Sequence, residues 1–203
     1  MKSIQSTSYS IHFNETCYEK LNTYLKSTNF SKIFLLVDTN THIHCLPRFL
    51  SNIDVNMSLE IIEMEAGEIH KTLDTCTQIW HSLSDLDGDR QSLIINLGGG
   101  VVTDLGGFVA STFKRGVRFI NVPTSLLSMV DASVGGKTGV DLGVIKNQIG
   151  VINFSDMVLI DPLFLETLPE EEMRSGFAEM LKHGLIKDAD YWNRLCSLKE
   201  LNI

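Results

Sequence analysis

The stretch of sequence that decides the fold spans residues 94–147 and reads IINLGGGVVTDLGGFVASTFKRGVRFINVPTSLLSMVDASVGGKTGVDLGVIKN. Its first part is an apolar run, predicted as a strand over residues 93–97, which leads through Gly98, Gly99 and Gly100 into a predicted helix over residues 101–113. A glycine-rich turn lets the backbone approach a ligand closely, and the N-terminus of a helix attracts anions. Lysines and an arginine follow on further glycine-rich turns. The stretch therefore predicts an enzyme that handles a phosphorylated ligand and a dinucleotide.

Strand and helix signals alternate around this stretch. Short apolar runs predict strands over residues 32–38, 59–64, 117–122 and 157–160, and amphipathic periodicity predicts helices over residues 15–27, 42–50 and 69–83. This alternation is typical of a Rossmann-like parallel α/β sheet, which binds ligands at the carboxyl ends of its strands. Helix-start signals dominate from Asp161 onward. We therefore expect an α/β domain over residues 1–160, and over residues 161–203 the first helices of an incomplete α-helical domain, the last of them starting near residue 190.

The overall charge argues against two classes of partner. The chain has 203 residues, with 17 Lys and Arg against 25 Asp and Glu, so its formal charge is −8. Proteins that bind nucleic acid or membrane surfaces carry an excess of basic residues, and we expect neither partner here. The N-terminus lacks an apolar signal core, no apolar run is long enough to span a membrane, and the four cysteines lack a CxxC spacing. We expect a cytoplasmic protein with free thiols.

Taken singly, the glycine-rich motifs leave two interpretations open. A full GxGxxG fingerprint would need glycine at position 103, where this chain has Thr103, so the triplet predicts either a pyrophosphate site or only a tight turn. The run Lys114-Arg115-Gly116 is typical of an exposed helix end. Residues 135–139 (GGKTG) resemble half of a nucleotide-binding P-loop but lack its upstream glycine, although a lysine between glycines suits a phosphate.

A second group of polar residues shares one predicted helix face. Glu179, Lys182 and His183 stand at i, i+3 and i+4, a spacing typical of a solvated salt-bridge stripe and also compatible with a metal ligand beside a phosphate-binding lysine. A Glu–His pair by itself cannot complete a zinc site, because such a site needs three protein ligands. His42 and His44 point apart on a helix, and we expect no metal role for them.

In combination these runs closely resemble the 3-dehydroquinate synthase family of sugar-phosphate cyclases over about residues 31–187. The resemblance rests on GGGVVTDLGGF, RGVRFINVPTSLLSMVDASVGGKTG, KNQIG, LETLPEEE and GFAEMLKHGLI. It implies a two-domain enzyme of the shikimate pathway that uses NAD and a divalent metal, usually zinc with cobalt possible. The implied reaction converts 3-deoxy-D-arabino-heptulosonate 7-phosphate to 3-dehydroquinate and phosphate, and NAD is regenerated in each cycle.

The resemblance also implies roles for individual residues. The implied substrate and catalytic positions are Arg115, Asp131, Lys137, Asn147 and Lys182. Glu179 matches a metal ligand, and Lys137 matches a position where phosphate and nicotinamide come close. The implied NAD-binding positions are Asp38, Asn40, Gly67, Glu68, Lys71, Gly99, Gly100, Val101, Val102, Thr103, Asp104, Thr124, Ser125, Lys137, Lys146, Phe164, Leu165, Glu166 and Thr167.

The chain departs from the family pattern most clearly at its C-terminal end. Thr103 and Ile145 replace glycines found in many members, a change that loops tolerate. The helical domain of the family extends well past residue 203 and supplies two histidine metal ligands, and none of the six histidines here stands in a matching motif. We therefore expect a truncated chain that binds zinc poorly, turns over little or nothing by itself, and exposes apolar surface around residues 173–185, which favours association. For the complete protein we expect a homodimer.

Three other functions remain open at this stage. The chain could belong to another NAD-dependent sugar-phosphate cyclase, such as an aminocyclitol- or valiolone-forming enzyme. It could be part of a metal-dependent polyol or glycerol-phosphate dehydrogenase, which would release NADH. It could also be a non-catalytic remnant that only binds NAD or a partner subunit.

Overall fold

The protein is described here from a computed structural model that covers residues 2–54 and 58–198. Its strands are β1 (Ile4–Gln5), β2 (Ser10–Phe13), β3 (Ile33–Asp38), β4 (Leu59–Met64), β5 (Leu93–Gly98), β6 (Arg118–Pro123), β7 (Lys137–Leu142), β8 (Ile145–Ile152) and β9 (Met157–Ile160). Its helices are α1 (Glu15–Ser27), α2 (Thr39–His44), α3 (Leu46–Asn52), α4 (Leu73–Asp85), α5 (Gly100–Thr112), α6 (Glu170–Lys187) and α7 (Ala189–Cys196).

Seven strands form one sheet in the order β1-β2-β9-β6-β5-β3-β4, and every neighbouring pair is parallel except β1 with β2. Helices cover both faces, so consecutive side chains of a central strand enter different cores. In β3, Leu35 lies in the core with α1 and α3, whereas Phe34 and Leu36 lie in the core with α4 and α5. Burial on both faces explains why such strands are continuous apolar runs. The predicted α/β class with a parallel sheet is confirmed.

Two predicted helices begin or break at other places than expected. The helix predicted over residues 42–50 is divided into α2 and α3 at Cys45, because Pro47 cannot donate the hydrogen bond that would continue α2 into α3. The helix predicted from residue 69 begins at Leu73, where the Thr72 side chain accepts a hydrogen bond from the backbone N–H of Thr75. Ile69, placed on the apolar face by periodicity, lies in a 3₁₀ turn and is 82% exposed.

Strands also form where the sequence indicated turns. Residues 135–139 were interpreted as a glycine loop, but Lys137 and Thr138 begin β7, which pairs with β8 in an antiparallel hairpin. The lysine of a P-loop lies at the start of a helix, so this hairpin excludes that interpretation. β1 and β2 were not predicted either. Their pairing extends the sheet beyond β9.

The part of the chain after β9 is helical, as predicted. Asp161 caps a 3₁₀ turn, Pro162–Thr167, by accepting a hydrogen bond from the backbone N–H of Leu163. α6 follows, and α7 begins at Ala189, within a residue of the predicted start; the predicted continuation through residues 199–203 lies outside the described residues. None of the described helices combines the length and the apolar character that a membrane span requires. The domain boundary near Asp161 stays a prediction.

Candidate active site

The glycine turn lies at the carboxyl end of β5 and leads into the N-terminus of α5. Gly99 precedes the helix and contributes no side-chain cap. The backbone N–H groups of a first helical turn have no partner within their own helix, and the helix dipole makes this end attractive to anions. The first turn consists of Gly100, Val101 and Val102, of which Val102 is fully buried. The backbone of this turn, rather than its side chains, is therefore what a ligand would meet.

Gly99 and Gly100 differ from the other glycines of the chain in what surrounds them. All fifteen glycines lie within the described residues, and thirteen either have a positive φ or would place a β-carbon within 3.0 Å of a neighbouring atom. A β-carbon on Gly99 would come no closer than 3.4 Å, to Ser125 Oγ, and one on Gly100 would lie 3.4 Å from the β-carbon of Ala132. The chain's own packing therefore does not demand these two glycines. Glycine at these positions leaves the backbone open to the close approach of a ligand.

A cleft of about 540 Å³ opens beside this turn, between α5, the hairpin and the segment after β6. It is lined by Asp104, Asp131, Lys137 and Asn147, together with Ala132, Val134 and further residues of β7 and β8. Lys137 and Asn147 are exposed, so an ammonium and an amide are presented to an incoming ligand. The structure thus brings together four residues that the resemblance assigned to the site.

The buried side chain of Lys71 connects the β7–β8 hairpin to α5, the helix that follows the glycine turn. Lys71 is only 4% exposed, and its Nζ donates to Asp104 Oδ2 and to Asn147 Oδ1, both at 2.6 Å. Its backbone carbonyl accepts from the N–H of Asp141, whose carboxylate accepts from the N–H of Asn147 at 2.7 Å. Burial raises the pKa of the Asp104 carboxyl, and the ammonium of Lys71 opposes that rise. Lys71 therefore holds Asp104 and Asn147 in place from beneath the cleft.

Other predicted NAD-binding residues surround the same edge of the sheet. Asp38 ends β3 and caps α2 by accepting a hydrogen bond from Thr41 at 2.8 Å. Asn40 follows it and is exposed. Glu68 forms an exposed ion pair with Lys146 at 3.1 Å, next to Gly67, which has a φ of 112°.

The segment after β6 supports the glycine turn from the other side. The N–H of Thr124 donates to the carbonyl of Gly98 at 3.0 Å, and Ser125 donates through its hydroxyl to Ser128 at 3.0 Å. Thr103, which replaces a family glycine, donates its hydroxyl to the Gly99 and Gly100 carbonyls at 3.2 Å, so the substitution adds bonds to the turn.

Two sets of predicted site residues, residues 164–167 and Arg115, are not among the described residues that line the cleft. In the 3₁₀ turn, Phe164 is 2% exposed and packs in the core, so only its backbone is available, while Leu165 is half-buried and Glu166 and Thr167 are exposed. Arg115 lies beyond the C-terminus of α5, about 20 Å along that helix from Gly99 at 1.5 Å per residue.

A carboxylate-rich group lies next to the cleft on α6. Glu179 is paired with Lys182 and lies 3.0 Å from His183 Nε2, and His183 Nε2 lies 3.7 Å from Asp131 Oδ1. Sequence spacing identified the first three residues as one helix face but could not show that Asp131 completes the group. Two carboxylates and an imidazole are suitable ligands for zinc or cobalt, so these residues fit a divalent metal.

The described residues thus combine a parallel α/β sheet and an uncapped glycine turn with a cleft lined by Asp104, Asp131 and Lys137 and with an adjoining carboxylate–imidazole group. Residues 61–175 match the model of the 3-dehydroquinate synthase N-terminal domain. A 3-dehydroquinate synthase of Parabacteroides distasonis is 45% identical over 171 residues, 84% of this chain and 48% of the relative. The chain belongs to the 3-dehydroquinate synthase family.

Solved structures of related cyclases share the fold. The 2-epi-5-epi-valiolone synthase of Streptomyces hygroscopicus, solved with NAD⁺ and Zn²⁺, has a TM-score of 0.78 at 29% identity, covering 94% of this chain and 53% of its own. A 2-deoxy-scyllo-inosose synthase, solved with carbaglucose-6-phosphate, NAD⁺ and Co²⁺, has a TM-score of 0.77 at 25% identity, covering 88% of this chain and 48% of its own. The chain thus spans about half the length of the relatives that it matches.

Proposed function

We propose that this chain forms the NAD- and phosphate-binding part of a 3-dehydroquinate synthase, a lyase that converts 3-deoxy-D-arabino-heptulosonate 7-phosphate to 3-dehydroquinate and phosphate in aromatic amino acid biosynthesis. The observation that carries the proposal is the pair Gly99 and Gly100, which the protein's own packing does not require and which lie at an uncapped helix N-terminus beside a cleft that presents the Lys137 ammonium. The 45% identity to a 3-dehydroquinate synthase favours this cyclase over those that share only 25–29% identity.

The residues divide into two binding surfaces. The backbone N–H groups at the start of α5 bind the NAD pyrophosphate, with Asp38 and Asn40 on the adenosine side. Lys71 lies beneath the cleft, and the exposed pair Glu68 and Lys146 contributes a further NAD-binding segment. Lys137 and Asn147 bind the substrate, and the ammonium of Lys137 stabilises the negative charge of the departing phosphate. Asp104 and Asn147 keep their orientation because Lys71 holds both.

The residues at the start of α5 would hold NAD, which would supply hydride exchange with a substrate hydroxyl, and Glu179 would hold a divalent cation, which would supply Lewis-acid polarisation of that hydroxyl. Arg115, which is not among the described residues lining the cleft, and the homodimer remain part of the proposal for the complete protein.

Calorimetry with NAD tests the binding part of the proposal. Gly100→Ala places a methyl group at the helix N-terminus, 3.4 Å from the β-carbon of Ala132, a residue that lines the cleft, without a clash. We expect NAD affinity to fall by at least about tenfold, or about 1.4 kcal/mol. We expect stability to be unchanged or slightly higher, because alanine favours a helix more than glycine does.

Gly107→Ala is the matched control on the same helix. Its β-carbon would lie 2.5 Å from Thr138 Cγ2 in the packed interface with β7, so stability should fall by about 1–3 kcal/mol. Unchanged NAD affinity in a stable Gly100→Ala variant would refute the pyrophosphate site.

A chimera tests the reaction. The chain would be joined to the C-terminal half of the P. distasonis relative, which this chain does not cover. We expect phosphate release from the heptulosonate phosphate without net NADH, and loss of that release in Lys137→Met. Net NADH formation would instead favour a polyol dehydrogenase, and NAD binding without turnover by a folded chimera would favour a non-catalytic remnant.

A further inference from the structure

The turn between β1 and β2 contacts the loop that leads into Lys137. Tyr9 lies in that turn, and its hydroxyl accepts a hydrogen bond at 3.0 Å from the backbone N–H of Gly135, which comes 126 positions later in the chain. The ring of Tyr9 stacks on that of Phe154, with the two ring centroids 5.6 Å apart and the planes inclined by 16°. The N-terminal strands therefore reach a loop that borders the cleft, a contact that no local sequence pattern indicated.

The loop at residues 133–136 determines where Lys137 enters β7. Its first residue is anchored, because the backbone N–H and the hydroxyl of Ser133 both donate to the carbonyl of Ser128, at 3.1 and 2.7 Å. Gly135 and Gly136 follow with φ of 89° and 72°, a left-handed conformation in which glycine is favoured. Two successive glycines have wide conformational freedom, so the path of the chain between Ser133 and Lys137 depends on what holds them.

Phe154, the partner of Tyr9 in the stack, also packs on this loop. A β-carbon on Gly136 would lie 2.7 Å from the Phe154 ring, so the ring lies directly against the glycine backbone. The carbonyl of Gly136 accepts a hydrogen bond at 2.9 Å from the backbone N–H of Asn153, the residue before Phe154. The Tyr9 hydroxyl and the Tyr9–Phe154 stack thus hold the two glycines that precede Lys137.

We propose that Tyr9 is a positioning residue for Lys137, which holds the glycine loop so that the lysine ammonium meets the phosphate group of the substrate. Lys137 is exposed in the lining of the cleft, and a lysine binds phosphate as a point charge on a flexible stem, so its affinity depends on where its backbone is held. The bond from the Gly135 N–H is itself exposed, and water can replace the tyrosine hydroxyl there. The contact therefore contributes to the position of the loop more than to the stability of the fold. This inference rests on the proposed function, since it takes Lys137 as the phosphate ligand.

Titration of the 203-residue chain with inorganic phosphate, followed by the amide NMR signals of residues 135–137, tests this inference. Tyr9→Phe keeps the aromatic stack and removes only the hydroxyl, so phosphate affinity should fall by at least about threefold while the midpoint of urea unfolding is unchanged. Tyr9→Leu also removes the stack, and the affinity should fall by at least about tenfold. Tyr191→Phe is the matched control, because it removes a tyrosine hydroxyl from α7, whose residues are not among the described ones that line the cleft. It should leave the phosphate affinity unchanged.

Amide hydrogen exchange gives a second readout that needs no phosphate. The Gly135 N–H loses its tyrosine acceptor in Tyr9→Phe, so it should exchange at least about threefold faster than in Tyr191→Phe. An equal exchange rate in the two variants would show that the hydroxyl does not hold the loop, and would overturn the inference.

Lys137→Met separates this inference from the proposed function. If Lys137→Met loses phosphate binding while Tyr9→Phe binds phosphate as tightly as the unsubstituted chain, the role of Tyr9 is overturned and that of Lys137 stands. If phosphate does not bind, or binds equally well to Lys137→Met, the assignment of Lys137 as the phosphate ligand fails, and the inference about Tyr9 fails with it. The NAD measurements on Gly100→Ala are independent of both outcomes.

Discussion

Lys71→Met should lower the free energy of unfolding, because it breaks the buried ion pair between Lys71 and Asp104 beneath the cleft. The side chain of Lys71 is 5% exposed and that of Asp104 is 19% exposed, and the methionine would fill the space of the lysine while leaving the carboxylate without its cation. Removing one partner of a buried pair typically costs about 3–5 kcal/mol. Because Asp104 keeps partial contact with solvent, we expect a loss of unfolding free energy near the lower limit, about 3 kcal/mol.

The double variant Lys71→Met/Asp104→Asn separates the buried charge from the lost packing. With the carboxylate replaced by a neutral amide, the remaining loss should be about 1 kcal/mol, the value of the hydrogen bond to Asn147. Lys26→Met is the control, because Lys26 and Asp54 form an exposed pair in which both side chains are more than half accessible. Such pairs contribute less than about 1 kcal/mol.

The loss of unfolding free energy in Lys71→Met, called its deficit below, should also depend on pH. Burial raises the pKa of Asp104 above its ordinary 3.8 in the unmodified chain, and removing the ammonium should raise it further. Since the folded-state pKa then lies above the unfolded one, protonation at low pH stabilises the folded chain, and this gain disappears as the pH rises through the folded-state pKa. The deficit should therefore be larger at pH 8 than at pH 5.

Urea unfolding followed by the fluorescence of the two tryptophans would measure all of these variants. The reasoning is refuted by a Lys71→Met deficit no larger than that of Lys26→Met, or by a double variant that is no more stable than the single one.

Three further predictions concern thiols, acid stability and association. Burial raises the pKa of the Cys17 and Cys76 thiols to about 12 and that of the Cys45 thiol to about 11, whereas Cys196 is exposed. A disulfide reagent should therefore modify one thiol quickly in the folded chain and all four in urea. Fast modification of two thiols in the folded chain would contradict this burial. Hydrogen bonds from the Ser31 hydroxyl and from backbone N–H groups lower the pKa of Asp89, so its carboxylate stabilises the fold above the ordinary pKa of 3.8 and this stabilisation is lost as the pH falls through the lowered pKa. Asp89→Asn should therefore reduce the free energy of unfolding at pH 7 but hardly at pH 2. An equal loss at both pH values would refute the assignment. Leu185 and Ile186 on α6 are 68% and 69% exposed, so the chain should associate at high concentration. The double variant Leu185→Glu/Ile186→Glu should reduce that association, measured by light scattering. A monodisperse monomer of the unsubstituted chain would contradict the prediction.

The sequence pattern predicted most strands of the sheet. Because helices cover both faces of the sheet, the central strands are buried on both sides and appear in the sequence as short apolar runs. β3, β5 and β9 are apolar runs that the sequence shows directly, and β4 (LEIIEM) is apolar at its other positions besides two glutamates. Each of these strands ends within one residue of its predicted end. α1 was predicted with its observed bounds, since its buried residues recur at four-residue steps. Ile69 shows the limit of this approach, because periodicity cannot reveal that the cap at Thr72 starts α4 four residues later.

The hairpin of β7 and β8 was missed for a related reason. Its first strand contains Gly139, and Gly150 lies opposite in β8, so that a β-carbon on either would lie within 2.5 Å of the facing backbone. Glycine there permits two strands to approach closely, whereas in the sequence it is typical of a loop. Only the pairing of the strands distinguishes the two.

The sequence by itself determined the α/β class, the family and the glycine turn, because each depends on residues that are neighbours along the chain. Tertiary structure alone decided which distant residues share a site. It placed Lys71 under Asp104 and Asn147, joined Asp131 to Glu179 and His183 through the close approach of Gly176 to Leu126, and set Arg115 at the far end of α5. The physical reason is that these contacts depend on the packing of whole elements against one another, which local periodicity does not encode.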